Sequence, residues 1–165
     1  MDPQLAEALS EITTGIYVLT VCEGERRHGM SSSWVTQVSG DPPLVMAAVE
    51  KRHFSHSLLE QQGIFGLNVV GGKSTELEDY FFSAASRRPD NLEPFAYELG
   101  ETGVPLLKLA MAVLECRVVG SYPAGDHTLF VASIVRAAVR EHDRPVTSLD
   151  LPYVYVGTVI PRQRN

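Results

Sequence analysis

Hydroxyl and amide side chains interrupt a stretch, residues 28–39, that otherwise has the composition of a β-strand. It reads HGMSSSWVTQVS and is followed by Gly-Asp-Pro-Pro, which ends a strand. Side chains alternate between the faces of a strand, so one face is predicted to be almost wholly polar, carrying Ser31, Ser33, Val35, Gln37 and Ser39. That face is either exposed to solvent or is a surface where small hydroxyls let a flat heterocycle reach the backbone. The residue pattern alone leaves both possibilities open.

A cationic segment, residues 51–56 (KRHFSH), follows the next apolar strand. It lies at the start of a predicted helix, where free N–H groups and the helix dipole favour anions. In a chain of net charge −6, this local cluster predicts a phosphate site formed by Lys51, Arg52, His53 and Ser55. The alternative is a solvated strand end.

A third candidate is Gly125-Asp126-His127-Thr128, at a predicted hairpin turn. Asp126 could hold the imidazole of His127 or form an Asx turn. The remaining histidines show no HExxH or HxH arrangement, so no metal site is assigned. The chain also lacks GxGxxG and GxxxxGK[ST], so a bound nucleotide would not be held by a Rossmann turn or a P-loop.

The elements that must position these residues are mostly short strands. Hydrophobic periodicity predicts helices over residues 3–14, 55–62 (capped by Ser55 or Ser57) and from Ser74 or Thr75 to 82. Strands are predicted over 16–22, 28–39, 44–50 (buried on both faces), 64–70, 106–122 (one long or bent strand), 127–141 and 153–160, with an irregular excursion over 83–103. Seven or so strands with hairpin connections favour a closed or nearly closed antiparallel barrel, because closure removes open sheet edges.

Composition limits the classes of function. The length of 165 residues predicts one domain, residues 1–165, and the acidic balance argues against general binding of nucleic acid. No apolar run reaches the roughly 18 residues of a membrane helix, and the N-terminus lacks a signal-peptide pattern, so a soluble cytoplasmic protein is expected. Cys22 and Cys116 are expected to be buried thiols, although a disulfide between them stays open.

The order of the motifs resembles the flavin reductase-like, FMN-binding split-barrel family. The resemblance covers about residues 10–137 and rests on TGIYVLT (14–20), GMSSSWVTQVS (29–39), PPL (42–44), FGLNV (65–69) and GDHTLF (125–130). Between residues 14 and 68 the sequence most resembles flavoredoxin-like and diflavin-protein reductase modules.

This resemblance implies a mainly β fold, a six-stranded Greek-key antiparallel split barrel with a few short helices, and a homodimer with FMN near the subunit interface. It implies that the flavin ring lies against Met30, Ser31, Ser32, Ser33, Trp34, Gln37 and Ser39, and that the phosphate is met by Lys51, Arg52, His53 and Ser55. His127 would lie where the nicotinamide docks, and we expect it to orient the nicotinamide amide. Asn68 falls on a matching strand but is assigned no flavin contact.

The implied activity is hydride transfer from NADH or NADPH to N5 of FMN, with reduced flavin passed to a partner oxygenase or redox protein. The alternative is a non-enzymatic FMN-binding electron carrier that a partner protein reduces. A pyridoxamine-phosphate-type oxidase has the same barrel, but no separate feature of the sequence supports it. The excursion over residues 83–103 is expected to carry specificity, because loops on a rigid barrel commonly do.

Overall fold

The computed structural model describes residues 1–83 and 86–162 of the chain. Three helices, α1 to α3, span Pro3–Ser10, Phe54–Gln62 and Glu76–Phe82. The strands, β1 to β11 in chain order, are Tyr17–Glu23, Arg26–Ser32, Val35–Gly40, Pro43–Glu50, Ile64–Val69, Tyr97–Leu99, Pro105–Leu107, Ala112–Ala124, His127–Val139, Tyr153–Tyr155 and Val159–Pro161.

Seven of these strands form one antiparallel sheet in the order β2-β1-β5-β8-β9-β4-β3. Strands β2 and β3 lie at the two ends of this order, yet only Ser33 and Trp34 separate them along the chain. Two residues span less than about 10 Å, so the sheet must curl until its ends meet. Counted as one bent strand, β2 and β3 give the predicted six-stranded barrel, and the mainly β architecture is confirmed.

The prediction of one continuous strand over residues 28–39 is wrong. The chain changes partners at Ser33 and Trp34, pairing with β1 before the bend and with β4 after it, where the amide of Ala48 donates to the Trp34 carbonyl at 2.9 Å. A register shift between Gln37 and Ser39 disturbs the pairing again. Side chains before and after the bend therefore do not share one continuous face.

Two apolar cores lie on opposite faces of β1, as its alternation requires. Leu19 and Val21 pack in one core with Phe65 and Phe130, whereas Val18 packs in the other with residues of α3 and β7. Strand β4 alternates instead of being buried on both faces: Val45, Ala47 and Val49 are buried, and the other face is only half-buried. The reason is that Ala48 and Glu50 on this other face line a cleft.

Three further predicted elements differ from the observed ones. The long strand predicted over 106–122 is divided into β7 and β8, because β7 turns away to pair with β6, which was not predicted. The predicted strand over 153–160 is a hairpin of β10 and β11. Helix α1 ends at Ser10, four residues earlier than expected.

The helix caps also correct the sequence interpretation. His53 caps α2 by accepting the Ser55 amide at 3.2 Å, in place of Ser55 or Ser57, while Gly63 ends this helix with φ 65° as expected. Thr75 precedes α3 but makes no side-chain cap, and Ser74 Oγ accepts the Gly71 amide at 2.9 Å.

The two cysteines are free and buried, as predicted, and no disulfide joins them. Burial raises the pKa of both thiols, that of Cys116 to about 12. Within residues 1–83 and 86–162, no helix combines the length and the apolar character needed to cross a membrane.

Candidate active site

A cleft of about 340 Å³ lies between the β2–β3 bend, α3 and the β10–β11 hairpin. Its volume falls in the range of small-molecule sites. Seven of the residues predicted from the sequence line it: Met30, Ser31, Ser32, Ser33, Trp34, His53 and His127. The fold therefore brings the serine-rich bend, the end of the cationic segment and the Gly-Asp-His turn to one place.

The bend supplies polar groups that have no partner among residues 1–83 and 86–162. Among the described residues, the backbone N–H and C=O of Ser33 make no hydrogen bond, because this residue lies between the two pairings. The hydroxyls of Ser32 and Ser33 also make no hydrogen bond to any described residue. Buried polar groups normally pair, so these groups at the cleft are available to a ligand with hydrogen-bonding edges.

Three aromatic rings form one end of the cleft. The Trp34 ring centroid lies 4.6 Å from that of His127 and 5.1 Å from that of Tyr155. His127 and Tyr155 are 6.4 Å apart. Contacts of this kind stabilise an apolar wall on which a flat ring can lie.

The side chain of His127 is held by its neighbour in the turn. Its Nδ1 lies 2.7 Å from Oδ1 of Asp126, and the His127 side chain is only 6% exposed whereas Asp126 faces solvent. This hydrogen bond lowers the pKa of Asp126. Because a carboxylate only accepts, the ring nitrogen that carries the proton in this hydrogen bond is Nδ1. In that tautomer Nε2 is an acceptor.

Lys51 supports this turn from the neighbouring strand. Its amide donates to the Asp126 carbonyl at 2.9 Å, and its Nζ donates to the Gly125 carbonyl at 2.6 Å. The pairing of Glu50 with His127 in the β4–β9 ladder produces this position. Lys51 is thus placed at the turn and lines neither cleft.

A second cleft of about 320 Å³ adjoins the first and is basic. Arg52, Arg87 and Arg88 line it together with His28 and His53. Arg87 and His53 line both clefts. In the described part of the chain, Arg52 and Arg87 make no ion pair, whereas Arg88 lies 3.3 Å from Glu93. Their free charges suit an anionic group at the junction of the two clefts.

Three other residues of the predicted site lie elsewhere, as does Asn68, to which no flavin contact was assigned. Gln37 Nε2 donates to the Ser39 carbonyl at 3.0 Å, and neither residue lines either of these two clefts. Ser55 is fully buried, with Oγ 2.8 Å from His28 Nδ1. Asn68 is likewise fully buried and joins three strands, so its role is structural.

Sequence reasoning missed several residues of the cleft. Glu78 lies one residue after the buried Leu77 and three before Phe81, so helical spacing could have placed it on the inner face of α3. Arg87 and Arg88 belong to the excursion over 83–103, of which residues 84 and 85 lie outside the described residues. Tyr153 and Tyr155 gave no signal, because β10 reaches the cleft only through the tertiary fold.

Residues 9–161 match the family model described as the flavin reductase like domain, and the chain belongs to this family. The resemblance noted from the motifs is thereby confirmed.

Three similar proteins illustrate the relationship. An NADH-dependent flavin reductase from Rhodococcus sp. is 34% identical over 142 residues, covering 81% of this chain and 78% of the relative. The reductase component of the FADH(2)-dependent resorcinol hydroxylase from Rhizobium sp. (strain MTP-10005) is 33% identical over 133 residues, covering 79% and 74%. The solved structure of the NADH:FAD oxidoreductase SgcE6 from Streptomyces globisporus C-1027, in complex with NAD and FAD fragments, has a TM-score of 0.79 and 30% identity, covering 89% of this chain and 90% of that one.

Proposed function

We propose that the protein is an NAD(P)H-dependent flavin reductase that binds FMN in the cleft and passes reduced flavin to an acceptor or a partner oxygenase. One observation carries the proposal: the unpaired polar groups of the β2–β3 bend face a cleft that joins a basic second cleft. A flavin has the matching sequence of parts, a flat ring with polar edges, a polyol chain and a phosphate. A bound flavin would supply a ring that accepts a hydride at N5.

The ring would be held by the bend and the aromatic wall. The Ser33 backbone and the hydroxyls of Ser32 and Ser33 offer donors and acceptors to the polar ring edge. Trp34 and Tyr155 supply apolar contacts and exclude water from the reacting faces. No strong acid or base is needed for hydride transfer, so placement of the two rings is the main task of the protein.

The phosphate would be met at the junction of the clefts. Arg52 lines the second cleft, Arg87 and His53 line both clefts, and among the described residues neither arginine makes an ion pair. A single phosphate satisfies this cluster, which supports FMN as the flavin. SgcE6 is an NADH:FAD oxidoreductase, so parallel titrations with FMN and FAD are the direct test of this choice.

His127 would orient the nicotinamide. Its Nε2 can accept an N–H of the carboxamide, because Asp126 holds the proton on Nδ1. Losing one such hydrogen bond costs about 1 kcal/mol, so His127→Ala should raise KM for the nicotinamide about fivefold to tenfold. His142→Ala, at an exposed histidine, is the matched control and should leave KM unchanged. Unchanged kcat and KM in His127→Ala would show that this role is wrong.

We also propose a homodimer and a partner for the reduced flavin. The β8–β9 hairpin exposes several apolar side chains, Val119, Tyr122, Val135 and Val139, which supports burial against a second copy. The reductase component from Rhizobium is named with its hydroxylase, which supports a partner oxygenase here. Sedimentation of the purified protein with and without FMN tests the dimer.

The activity is tested by anaerobic stopped-flow mixing of the FMN-loaded protein with NADH and, separately, NADPH. Bleaching of the flavin absorption band at a rate that saturates with nicotinamide supports the reductase. Binding of FMN without bleaching by either nicotinamide would favour the electron carrier that a partner protein reduces. No binding of FMN or FAD would refute both.

A further inference from the structure

The carboxyl of Glu78 is buried in the wall of the cleft. Glu78 is 2% exposed, and each carboxyl oxygen accepts one hydrogen bond: Oε2 from the Ser31 hydroxyl at 2.5 Å and Oε1 from the Tyr153 hydroxyl at 2.8 Å. Within residues 1–83 and 86–162, neither arginine nor lysine pairs with it. Among the described residues, a negative charge on Glu78 is therefore stabilised directly by two hydroxyl hydrogen bonds and by no cation.

This carboxyl joins segments that are far apart in the sequence. Ser31 belongs to β2 and borders the bend, whereas Tyr153 belongs to β10 on the hairpin that covers the cleft. The Tyr153 ring also stacks on Phe82 at the end of α3, with centroids 4.1 Å apart and planes 11° apart. Glu78 thus fixes two walls of the cleft relative to each other.

Packing alone does not explain an acid at this position. Burial raises the pKa of Glu78, because the charged form loses its hydration; the two hydrogen bonds oppose that shift without cancelling it. An apolar side chain could join the same walls without that desolvation cost. Because Glu78 lines the cleft, a ligand that displaces the water there would change the stability of its charged form.

We propose that Glu78 is a positioning residue of the flavin site, which holds Ser31 and Tyr153 at two walls of the cleft and takes up one proton from solvent when flavin fills the cleft. This inference rests on the proposed function. The flavin displaces the water that fills the cleft next to this wall, so the buried negative form loses the longer-range solvation that this water supplied and the neutral acid becomes favoured. Both hydroxyls can rotate, so the neutral acid donates to one and accepts from the other, and the walls stay joined.

Other charged or titratable groups line the same cleft or lie next to Glu78. The cleft is also lined by Glu50 at the end of β4, His53 before α2, Arg87, His127 on β9 and Tyr155 on β10, and the exposed Asp79 follows Glu78 on α3. Asp79 adds to the rise in the pKa of Glu78, since its negative charge opposes a second one nearby. The contribution of Glu78 is therefore measured as the difference between variants.

The experiment is calorimetric titration with FMN in pairs of buffers of different ionisation enthalpy, from about pH 5 to about pH 9, a range that covers buried carboxyls. The wild-type protein should take up protons, and its Kd should increase by up to about tenfold per pH unit between the pKa of Glu78 in the free and the flavin-bound protein. Glu78→Gln keeps one acceptor and gains a donor, so it should bind FMN without this uptake and with a flatter Kd. Glu76→Gln, the same substitution at an exposed acid of the same helix, should behave as wild type.

Tyr153→Phe provides a second test if Glu78→Gln does not fold. It keeps the stacking on Phe82 but removes one donor to the carboxylate, so the fall in affinity should begin at higher pH than in wild type. Equal proton uptake by wild type and Glu78→Gln, or an unshifted profile in Tyr153→Phe, would overturn the proposal. These outcomes require that FMN binds, whereas failure of the proposed function would be seen as no binding or no bleaching by nicotinamide.

Discussion

Replacing Asn91 by alanine should destabilise the protein and weaken its flavin site together. Asn91 is fully buried, and its amide pairs with the backbone of Gly29 as a neighbouring strand would. Oδ1 accepts the Gly29 amide at 2.7 Å, and Nδ2 donates to the Gly29 carbonyl at 2.6 Å and to the Ser86 carbonyl at 2.9 Å. These bonds attach the loop that carries Arg87 to the outer edge of β2.

The magnitude follows from the groups that lose partners. The three shorter hydrogen bonds contribute about 1 kcal/mol each, and a longer contact of Nδ2 with His28 Nε2 at 3.2 Å adds less. The Gly29 amide and carbonyl would be left buried and unpaired, so the free energy of unfolding should fall by about 3–4 kcal/mol. For a chain of this length that corresponds to a decrease in Tm of about 10 °C. Released from its anchor, Arg87 should hold the flavin phosphate less well, and the Kd for FMN should rise by about tenfold.

Thermal unfolding followed by circular dichroism gives Tm, and fluorescence titration gives the Kd. Asp90→Ala is the neighbouring control, because Asp90 is exposed and, among the described residues, its side chain accepts one long contact, from the Leu92 amide at 3.4 Å. A Tm decrease of less than about 3 °C in Asn91→Ala, or a decrease equal to that of Asp90→Ala, would refute this account of the loop.

Two further predictions concern pH and the turn. Burial lowers the pKa of His28 from 6.5 to about 4. Below pH 6.5 the unfolded chain therefore binds a proton that the folded protein does not bind until about pH 4. The free energy of unfolding should fall by about 2 kcal/mol over this range, after allowance for partial solvent screening. Urea unfolding at both pH values should show that His28→Gln lacks this component and that His142→Gln retains it. Lys51→Met should loosen the turn through Gly125 and raise KM for the nicotinamide about threefold while leaving the Kd for FMN within about twofold. A tenfold rise in that Kd, as expected for Arg52→Met, would instead restore Lys51 to the phosphate site predicted from the sequence.

Local patterns were sufficient for elements whose partners are close in sequence. The β1–β2 hairpin pairs Tyr17 with Ser32 through a short charged turn, and the β8–β9 hairpin turns at Gly125 with φ 59°. Both hairpins were predicted, because the alternation of apolar and polar residues and the turn residues can be recognised within a short stretch of sequence. The seven residues that meet in the first cleft were found for the same reason together with the family resemblance.

Long-range pairing accounts for most of what the sequence did not predict. Nothing near Ser33 signals that the strand must leave β1 and pair with β4, because the cause lies in the register of other strands. Lys51 belongs to a cationic run, yet the β4–β9 register turns it toward Gly125. Glu78 is buried by Tyr153, which is 75 residues away in the chain.

The bend at Ser33 and Trp34 links barrel closure to ligand binding. A strand that pairs with β1 and then with β4 must pass through a residue that pairs with neither, so the backbone of Ser33 is left without a partner among the described residues. In a barrel made of straight strands, the N–H and C=O groups at this position would be hydrogen-bonded to a neighbouring strand. Bulky side chains would cover them, whereas the run of three serines leaves them accessible at the cleft. The polar composition that first distinguished this stretch is therefore explained by its place in the fold: it keeps open the backbone groups that closure of the barrel sets free.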